Sequence, residues 1–120
     1  LTGDIERDQE IRLLREQPEA LRADVLLAPH HGSKTSSSAA FLDAVHPRVA
    51  VFQAGHHNRY GHPADEVLRR YEERGIARFD SPHCGAWAWH SDSLGQARVS
   101  GLCVRDAARR YWHWRDPQRP

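Results

Sequence analysis

The sequence predicts an α/β fold in which helices pack on a mixed β-sheet. Short, unbroken apolar runs at residues 25–28 and 49–52 are typical of strands that are covered on both faces of a sheet. Helix-like stretches separate these runs. Beyond Gly85 the apolar residues alternate, with Trp87 and Trp89 on one face, and such alternation predicts antiparallel strands at the end of the fold.

The first half of the chain alternates helix and strand. Apolar residues spaced among charges predict a helix over residues 6–16, which Pro18 ends. The strand at residues 25–28 follows. Residues 36–38 are all serine, and they offer an N-cap for a second helix that stops before Pro47.

The second half repeats this order. After the strand at residues 49–52, Pro63 suits the first turn of a helix, and Gly75 is a plausible C-cap for it. Residues 76–79 and 99–104 are predicted as further strands. The predicted order is therefore strand, helix, strand, helix and strand, followed by antiparallel strands.

The composition excludes several classes of protein. Lys and Arg total 17 against 16 Asp and Glu, so the net charge of +1 gives no bulk basic field for nucleic acid. No apolar run approaches the roughly 18 residues that span a bilayer. Cys84 and Cys103 lie in no CxxC pattern, and we predict buried free thiols. Trp87 and Trp89 are predicted as core residues rather than base-stacking residues.

Histidines are concentrated in the polar loops that follow the first two predicted strands. His30 and His31 come after the first strand, and His62 ends the loop after the second. Asp4 lies in a Gly-Asp turn, near what would be the end of a third strand. Loops at strand ends build the sites of α/β folds. A carboxylate and neutral imidazoles are ligands that zinc, manganese or iron accept.

Three motifs in this order resemble a known family. They are Leu-Thr-Gly-Asp at residues 1–4, Ala-Asp-Val-Leu-Leu-Ala-Pro-His-His-Gly-Ser-Lys-Thr-Ser at residues 23–36, and Asn-Arg-Tyr-Gly-His-Pro at residues 58–63. Together they resemble the metallo-β-lactamase-like domain of the ComEC/Rec2 family, integral membrane proteins that carry DNA into naturally competent bacteria. The resemblance extends from residue 1 to about residue 85.

The resemblance implies that residues 1–115 are the C-terminal part of an αββα sandwich. The mildly basic end of the chain predicts a disordered tail at residues 116–120. A dinuclear site for two divalent ions, Zn or Mn, would lie between the sheets. Asp4 matches the bridging aspartate. His31 best matches the late metal-binding histidine, with His30 as the alternative. The family's first motif, His-x-His-x-Asp-His, is absent, and so is the next histidine ligand. We therefore expect these 120 residues to hold metal incompletely and to be inactive alone.

The other polar residues of the motifs are candidates for contacts with substrate. His62 matches a family position suited to a proton donor or a phosphate contact, and His30 is the second candidate proton donor. The predicted phosphate contacts are Ser33, Lys34, Asn58 and Arg59. Most of these candidates also have an ordinary structural interpretation. Asp4 would be a turn or cap residue, His31 a loop histidine bonded to the backbone and His30 a structural residue. His62 would lead into a helix, Ser33 would belong to a helix-capping run, and Lys34 and Arg59 would be solvated surface.

The family implies a metal-dependent nuclease that hydrolyses one strand of incoming DNA during natural transformation. Its expected partners are the DNA phosphate backbone, the remainder of the same membrane protein and further copies of the fragment. The parent protein would lie in the bacterial inner membrane, with this domain on the periplasmic side. Two alternatives stay open: a non-catalytic DNA-binding or channel-closing module of the same fold, and a metallohydrolase of small esters or cyclic phosphates.

Overall fold

Three parallel strands form the main sheet of the computed structural model, which describes residues 1–91, 99–108 and 110. In chain order the elements are α1 (Arg7–Glu16), β1 (Val25–Leu27), α2 (Ala39–Val45), β2 (Val49–Phe52), α3 (Asp65–Glu72), β3 (Ala77–Asp80), α4 (Ser81–Cys84), β4 (Trp87–Trp89), β5 (Gly101–Cys103) and α5 (Val104–Ala107). The predicted α/β class is confirmed, and so is the order of its first helices and strands.

The main sheet has the order β1-β2-β3, with all neighbours parallel. Val49 of the central strand lies opposite Val25 on one side and Ala77 on the other. Ala50 and Phe52 are buried in the same strand. A central parallel strand is covered on both faces, which explains why its sequence is an unbroken apolar run.

Helices α2 and α3 connect the parallel strands. The hydroxyl of Ser38 accepts a hydrogen bond from the amide of Phe41, which confirms the predicted N-cap of α2. Helix α3 begins at Asp65, so Pro63 precedes the helix instead of lying in its first turn. The helices and strands bury one core, which comprises Leu26, Ala28, Phe41, Leu42, Val45, Ala50, Phe52, Ala64, Val67, Tyr71 and Ile76.

Helix α1 carries a fully buried carboxylate, which the sequence did not predict. The two oxygens of Glu10 accept hydrogen bonds from the amides of Ser37 and Ser38, at 2.6 Å and 2.9 Å. The hydroxyl of Ser37 lies 2.9 Å from that of Tyr71, and Arg70 donates to the Ser37 carbonyl oxygen. These bonds join α1, the serine turn and α3, so the buried charge is satisfied.

The antiparallel strands β4 and β5 follow, as predicted. The indole of Trp87 stacks on Phe79, and a Cβ at Gly101 would lie only 2.0 Å from it, so glycine leaves room for the ring. Trp89 is 39% exposed, so the prediction of a core position is wrong for this residue. A two-stranded ribbon buries little of its own surface, and its end extends beyond the main core.

Cys84 and Cys103 form a disulfide, so the prediction of free thiols is wrong. Their Cα atoms lie 4.5 Å apart, within the range that a disulfide requires. Helix α4 contacts α5, which directly follows β5, and this brings the two cysteines together across 19 residues of sequence. Spacing alone gives no sign of such an approach.

The ends of the chain concern two further predictions. Asp4 lies in the predicted Gly-Asp turn. The strand predicted over residues 99–104 is shorter, because Val104 already begins a helix. The predicted tail at residues 116–120 lies outside the described residues. Within the described part of the chain, no helix combines the length and the apolar character needed to cross a membrane.

Candidate functional site

Two loops meet at the carboxyl ends of β1 and β2, as neighbouring parallel strands require. The first is a 3₁₀ turn, Pro29–Gly32, and the second ends at His62. They touch at Gly32, where an added Cβ would lie 2.6 Å from the Cβ of Pro63. Gly32 also has a φ of +81°, so both its conformation and this close approach favour glycine.

The two histidines of the first loop have a backbone conformation that L-residues rarely adopt. The φ angles of His30 and His31 are +45° and +56°. Left-handed conformations cost non-glycine residues about 1–2 kcal/mol each, and they are concentrated at functional sites. The turn is held by the amide of Ser33, which donates to the His30 carbonyl oxygen, and by the amide of His30, which donates to the Gly3 carbonyl oxygen.

Asp4 and His31 face each other across this turn. The Nε2 atom of His31 lies 3.4 Å from Oδ1 of Asp4, while its Nδ1 lies 2.7 Å from the carbonyl oxygen of Gln53. A carbonyl oxygen only accepts, so the bond to Gln53 requires the proton on Nδ1. In the neutral ring Nε2 then carries a lone pair that faces a carboxylate. The contact becomes favourable when Nε2 carries a proton and pairs with the carboxylate, or when a cation lies between the two groups.

The spacing of this pair fits a shared metal ion. Two donors that each lie about 2.1 Å from one tetrahedral ion are about 3.4 Å apart. Asp4 and His31 are both substantially exposed, so an ion can reach them. Within residues 1–91, 99–108 and 110, no group of three His, Cys, Asp or Glu side chains is arranged to hold a metal. Asp4 and His31 are therefore a pair of candidate donors, and their metal-binding role stays a prediction.

The sequence did not single out Glu6, yet it lies beside His30. Its Oε1 is 2.9 Å from Nδ1 of His30, at an angle unsuited to a hydrogen bond, and accepts a bond from the Thr35 hydroxyl at 3.0 Å. Glu6 is the N-cap residue of α1, and its amide donates a hydrogen bond to the side-chain oxygen of Gln9. No feature of the sequence indicates the approach to His30.

His62 lies on the other side of His30, with 6.2 Å between the ring centroids. Its Nδ1 is buried and has no hydrogen-bond partner among the described residues. Burial lowers the pKa of His62 below its ordinary value, and positive charge on His30 and His31 lowers it further. The ring is therefore mainly neutral near pH 7. A neutral imidazole is able to accept or relay a proton.

Asn58 holds the second loop in shape. Its side-chain amide donates to the carbonyl oxygens of Gly55 and His62, and its oxygen accepts from the amide of His62. These bonds use both amide hydrogens, so a phosphate contact by Asn58 would compete with them. Arg59 contacts the ring of Tyr60, and its guanidinium donates to the Tyr60 hydroxyl at 2.6 Å.

The other predicted phosphate contacts lie near His62. Ser33 is buried, and its hydroxyl lies 3.1 Å from that of Thr35. Lys34 is exposed and lines a groove with Ser33, His62 and Arg69. The structure thus places the predicted residues on one edge of the sheet, and their chemical roles stay predictions.

Comparison with known proteins gives this arrangement a context. No protein-family model matches the chain. It is 36% identical over 112 residues to "Competence protein ComA" of Neisseria gonorrhoeae and 40% identical over 76 residues to "ComE operon protein 3" of Bacillus subtilis (strain 168). The chain is a homologue of competence proteins of the ComEC/Rec2 type. It is also 35% identical over 114 residues to "Uncharacterized protein YcaI" of Escherichia coli (strain K12).

These similarities cover most of the chain but little of the relatives. The matches take in 93% of the chain for the Neisseria protein, 63% for the Bacillus protein and 95% for the Escherichia protein. They correspond to 16%, 10% and 15% of the three relatives. The chain therefore spans about a sixth or less of each of these relatives.

Proposed function

We propose that this chain is part of a metal-dependent phosphodiesterase that cuts DNA during uptake by a ComEC/Rec2-type protein. The observation that supports the proposal most directly is the pairing of Asp4 Oδ1 with His31 Nε2 at 3.4 Å. The names of the relatives support DNA uptake as the context. The metallo-β-lactamase-like sandwich belongs to the same proposal, with the remaining metal donors supplied from outside these 120 residues.

The residues would divide the chemistry as follows. Asp4 and His31 would hold the metal, and Gln53 would keep the Nε2 lone pair of His31 free for it. When bound, divalent ions lower the pKa of water to near neutrality and offset negative charge on phosphate oxygens. His62 or His30 would protonate the leaving oxygen, with Lys34 as a nearby cation for the phosphate.

The lowered pKa of His62 bears on the direction of proton transfer. A mainly neutral ring does not carry the proton that the leaving oxygen needs. His62 therefore has to take up a proton during the reaction, from water or from His30, whose ring lies 6.2 Å away. An approaching phosphate favours this step, because its negative charge stabilises the imidazolium.

The proposal is tested in the full-length protein with matched pairs of variants. Asp4→Asn is compared with Asp24→Asn, because Asp24 is an exposed aspartate at the opposite end of β1. His31→Asn is compared with His46→Asn, because both histidines have a φ close to +50° and asparagine tolerates that conformation. The measurements are metal content by elemental analysis and cleavage of labelled single-stranded and duplex DNA with Zn or Mn.

We expect Asp4→Asn and His31→Asn to lose metal and cleavage, and both controls to keep them. His62→Ala should keep the metal and slow cleavage by about 10²–10⁴-fold if His62 is the proton donor. Chelation with EDTA should stop cleavage, and added Zn or Mn should restore it. Equal cleavage by Asp4→Asn and wild type would show that the site is wrongly assigned. A wild-type protein that binds metal but cuts no DNA would favour the non-catalytic module, or the small-ester hydrolase if it cleaves a nitrophenyl phosphodiester.

We also propose that the domain lies on the periplasmic side of the membrane. The support is the Cys84–Cys103 disulfide, because disulfides persist in oxidising compartments such as the periplasm and are rare in the cytosol. Cells expressing the full-length protein would be quenched in acid, alkylated and digested for mass spectrometry. The linked peptide is expected. Two separately alkylated cysteines would remove this support and overturn the assignment to the periplasmic side.

A further inference from the structure

Tyr60 is an exposed aromatic residue with a fixed orientation at the candidate site. Its side chain is 66% exposed. The ring lies nearly parallel to that of His62, with an interplanar angle of 18° and 5.9 Å between centroids. The guanidinium of Arg59 lies 4.8 Å from the Tyr60 centroid and donates to the hydroxyl. An exposed ring is usually free to rotate, whereas this one is held at two points.

Tyr60 and His62 stand where two grooves meet. The first groove, of about 700 Å³, is also lined by Lys34 and Arg69. The second, of about 500 Å³, is also lined by His31. A chain that runs from one groove into the other therefore crosses Tyr60 next to the histidines. This arrangement suits a polymer that extends on both sides of the reacting bond.

The charges of the first groove nearly cancel. Lys34 and Arg69 are cationic, while Asp65 and Glu66 line the same groove and Glu66 pairs with Arg70 at 3.4 Å. The whole chain has a net charge of only +1. Phosphate attraction by these side chains is therefore modest, and a second source of affinity is needed. An aromatic face supplies it, because every base has a π-face that stacks without regard to sequence.

We propose that Tyr60 is a stacking platform for one base of a single-stranded nucleic acid, next to the phosphate that would be cut. This inference rests on the proposed function, because it takes a polynucleotide as the substrate. Single strands are favoured because a base in a duplex already stacks on its neighbours, and exposing its face costs a few kcal/mol. Tyr60 would thereby select single-stranded over duplex substrate.

The test measures binding without cleavage. Full-length protein in EDTA is titrated against fluorescent 20-nucleotide probes: oligo-dT, an abasic strand of equal length and a duplex. Tyr60→Leu removes the aromatic face, and Tyr60→Phe and Tyr60→Trp keep one. Trp89→Leu is the matched control, because Trp89 is an exposed aromatic residue on β4, outside both grooves.

We expect Tyr60→Leu to weaken oligo-dT binding by about 5- to 150-fold, the range for losing one base–aromatic stack. Tyr60→Phe, Tyr60→Trp and Trp89→Leu should bind oligo-dT within about 2-fold of wild type. The abasic strand should bind wild type and Tyr60→Leu equally. An equal loss for the abasic strand would mean that Tyr60 only shapes the loop, and no loss for oligo-dT would overturn the platform directly.

A second readout locates the contact on the protein. Oligonucleotides with 5-iodouracil are irradiated in the complex, and the cross-linked peptide is mapped. A cross-link on Tyr60 is expected, and cross-links confined to other segments would contradict the proposal. The two proposals can fail separately. If oligo-dT binding depends on Tyr60 but no DNA is cut, the stacking platform stands and the nuclease is rejected. If DNA is cut but binding does not depend on Tyr60, the nuclease stands and the platform is rejected.

Discussion

Replacing Glu10 by Gln tests whether the buried carboxylate anchors Ser37 and Ser38, which follow the 3₁₀ turn Pro29–Gly32 (the histidine turn) in the chain. The carboxylate offers one oxygen to the amide of Ser37 and the other to that of Ser38. Glutamine has the same shape but only one acceptor oxygen, so its NH₂ group would face one of these amides. One buried N–H then loses its partner, and the remaining bond is no longer assisted by charge.

The magnitude follows from these contacts. Losing a charge-assisted hydrogen bond costs about 1.5–3 kcal/mol, and an unsatisfied buried N–H adds about 1–3 kcal/mol. Removing a charge from the interior recovers part of this. We therefore expect the Glu10→Gln variant to lose about 2–4 kcal/mol of unfolding free energy. At about 2.1 cal/mol/K per residue, the 120 residues correspond to a fall in Tm of roughly 8–16 °C.

The assay compares this variant with Glu16→Gln on the same helix. Glu16 is half-exposed and pairs with Arg12 at 2.9 Å, so its loss should cost no more than about 0.5 kcal/mol. Urea unfolding followed by tryptophan fluorescence gives both free energies, and hydrogen exchange at Ser37 and Ser38 reports the anchor directly. Equal stability of the two variants would show that the carboxylate does not hold the turn.

Two further predictions concern the loop contact and the buried tyrosine. Gly32→Ala should lower the unfolding free energy by about 2–4 kcal/mol in chemical denaturation, because the added Cβ would clash with Pro63. At Gly61 an added Cβ meets nothing within 4 Å, so Gly61→Ala should cost only the roughly 1–2 kcal/mol of a positive φ. Equal costs for the two variants would contradict the close contact. Burial raises the pKa of Tyr71 to about 12, above its ordinary value of 10.0, so the stability that its neutral form contributes is present below about pH 10 and lost as the pH rises through 12. Absorbance titration at 295 nm should show a late ionisation that Tyr71→Phe removes, and a tyrosine titration complete by pH 10.5 would contradict it.

The fold was predictable because its signals are local. The run at residues 49–52 is apolar throughout because the central strand is covered on both sides, and Ser38 caps α2 through a contact three residues away. The disulfide and the burial of Glu10 were not predictable. Both depend on segments that are distant in sequence: Cys84 meets Cys103 across 19 residues, and Glu10 meets Ser37 across 27.

The candidate site also combines features that local sequence signals predict with contacts that they do not predict. The two apolar runs predict parallel strands, and the ends of these strands place His31 and His62 at one edge of the sheet. The contacts that set the chemistry of the two histidines cannot be predicted in this way. Gln53 fixes the proton of His31, and Glu6 approaches His30 from a helix cap. Tyr60 belongs to the Asn-Arg-Tyr-Gly-His-Pro motif, but its exposure and fixed orientation are visible only in the structure.

The backbone of the histidine turn separates a folding role from a chemical one. His31 has a φ of +56°, a conformation that asparagine adopts more readily than histidine. His31→Asn should cost little folding free energy, because it removes one exposed hydrogen bond to Gln53, worth about 0.5–1.5 kcal/mol, and lowers the conformational cost of the turn. We therefore expect this variant to keep its unfolding free energy within about 1 kcal/mol of wild type while it loses metal. A variant that unfolds in parallel with its loss of metal would mean that the imidazole is a structural group, and the strained turn would then need an explanation other than metal binding.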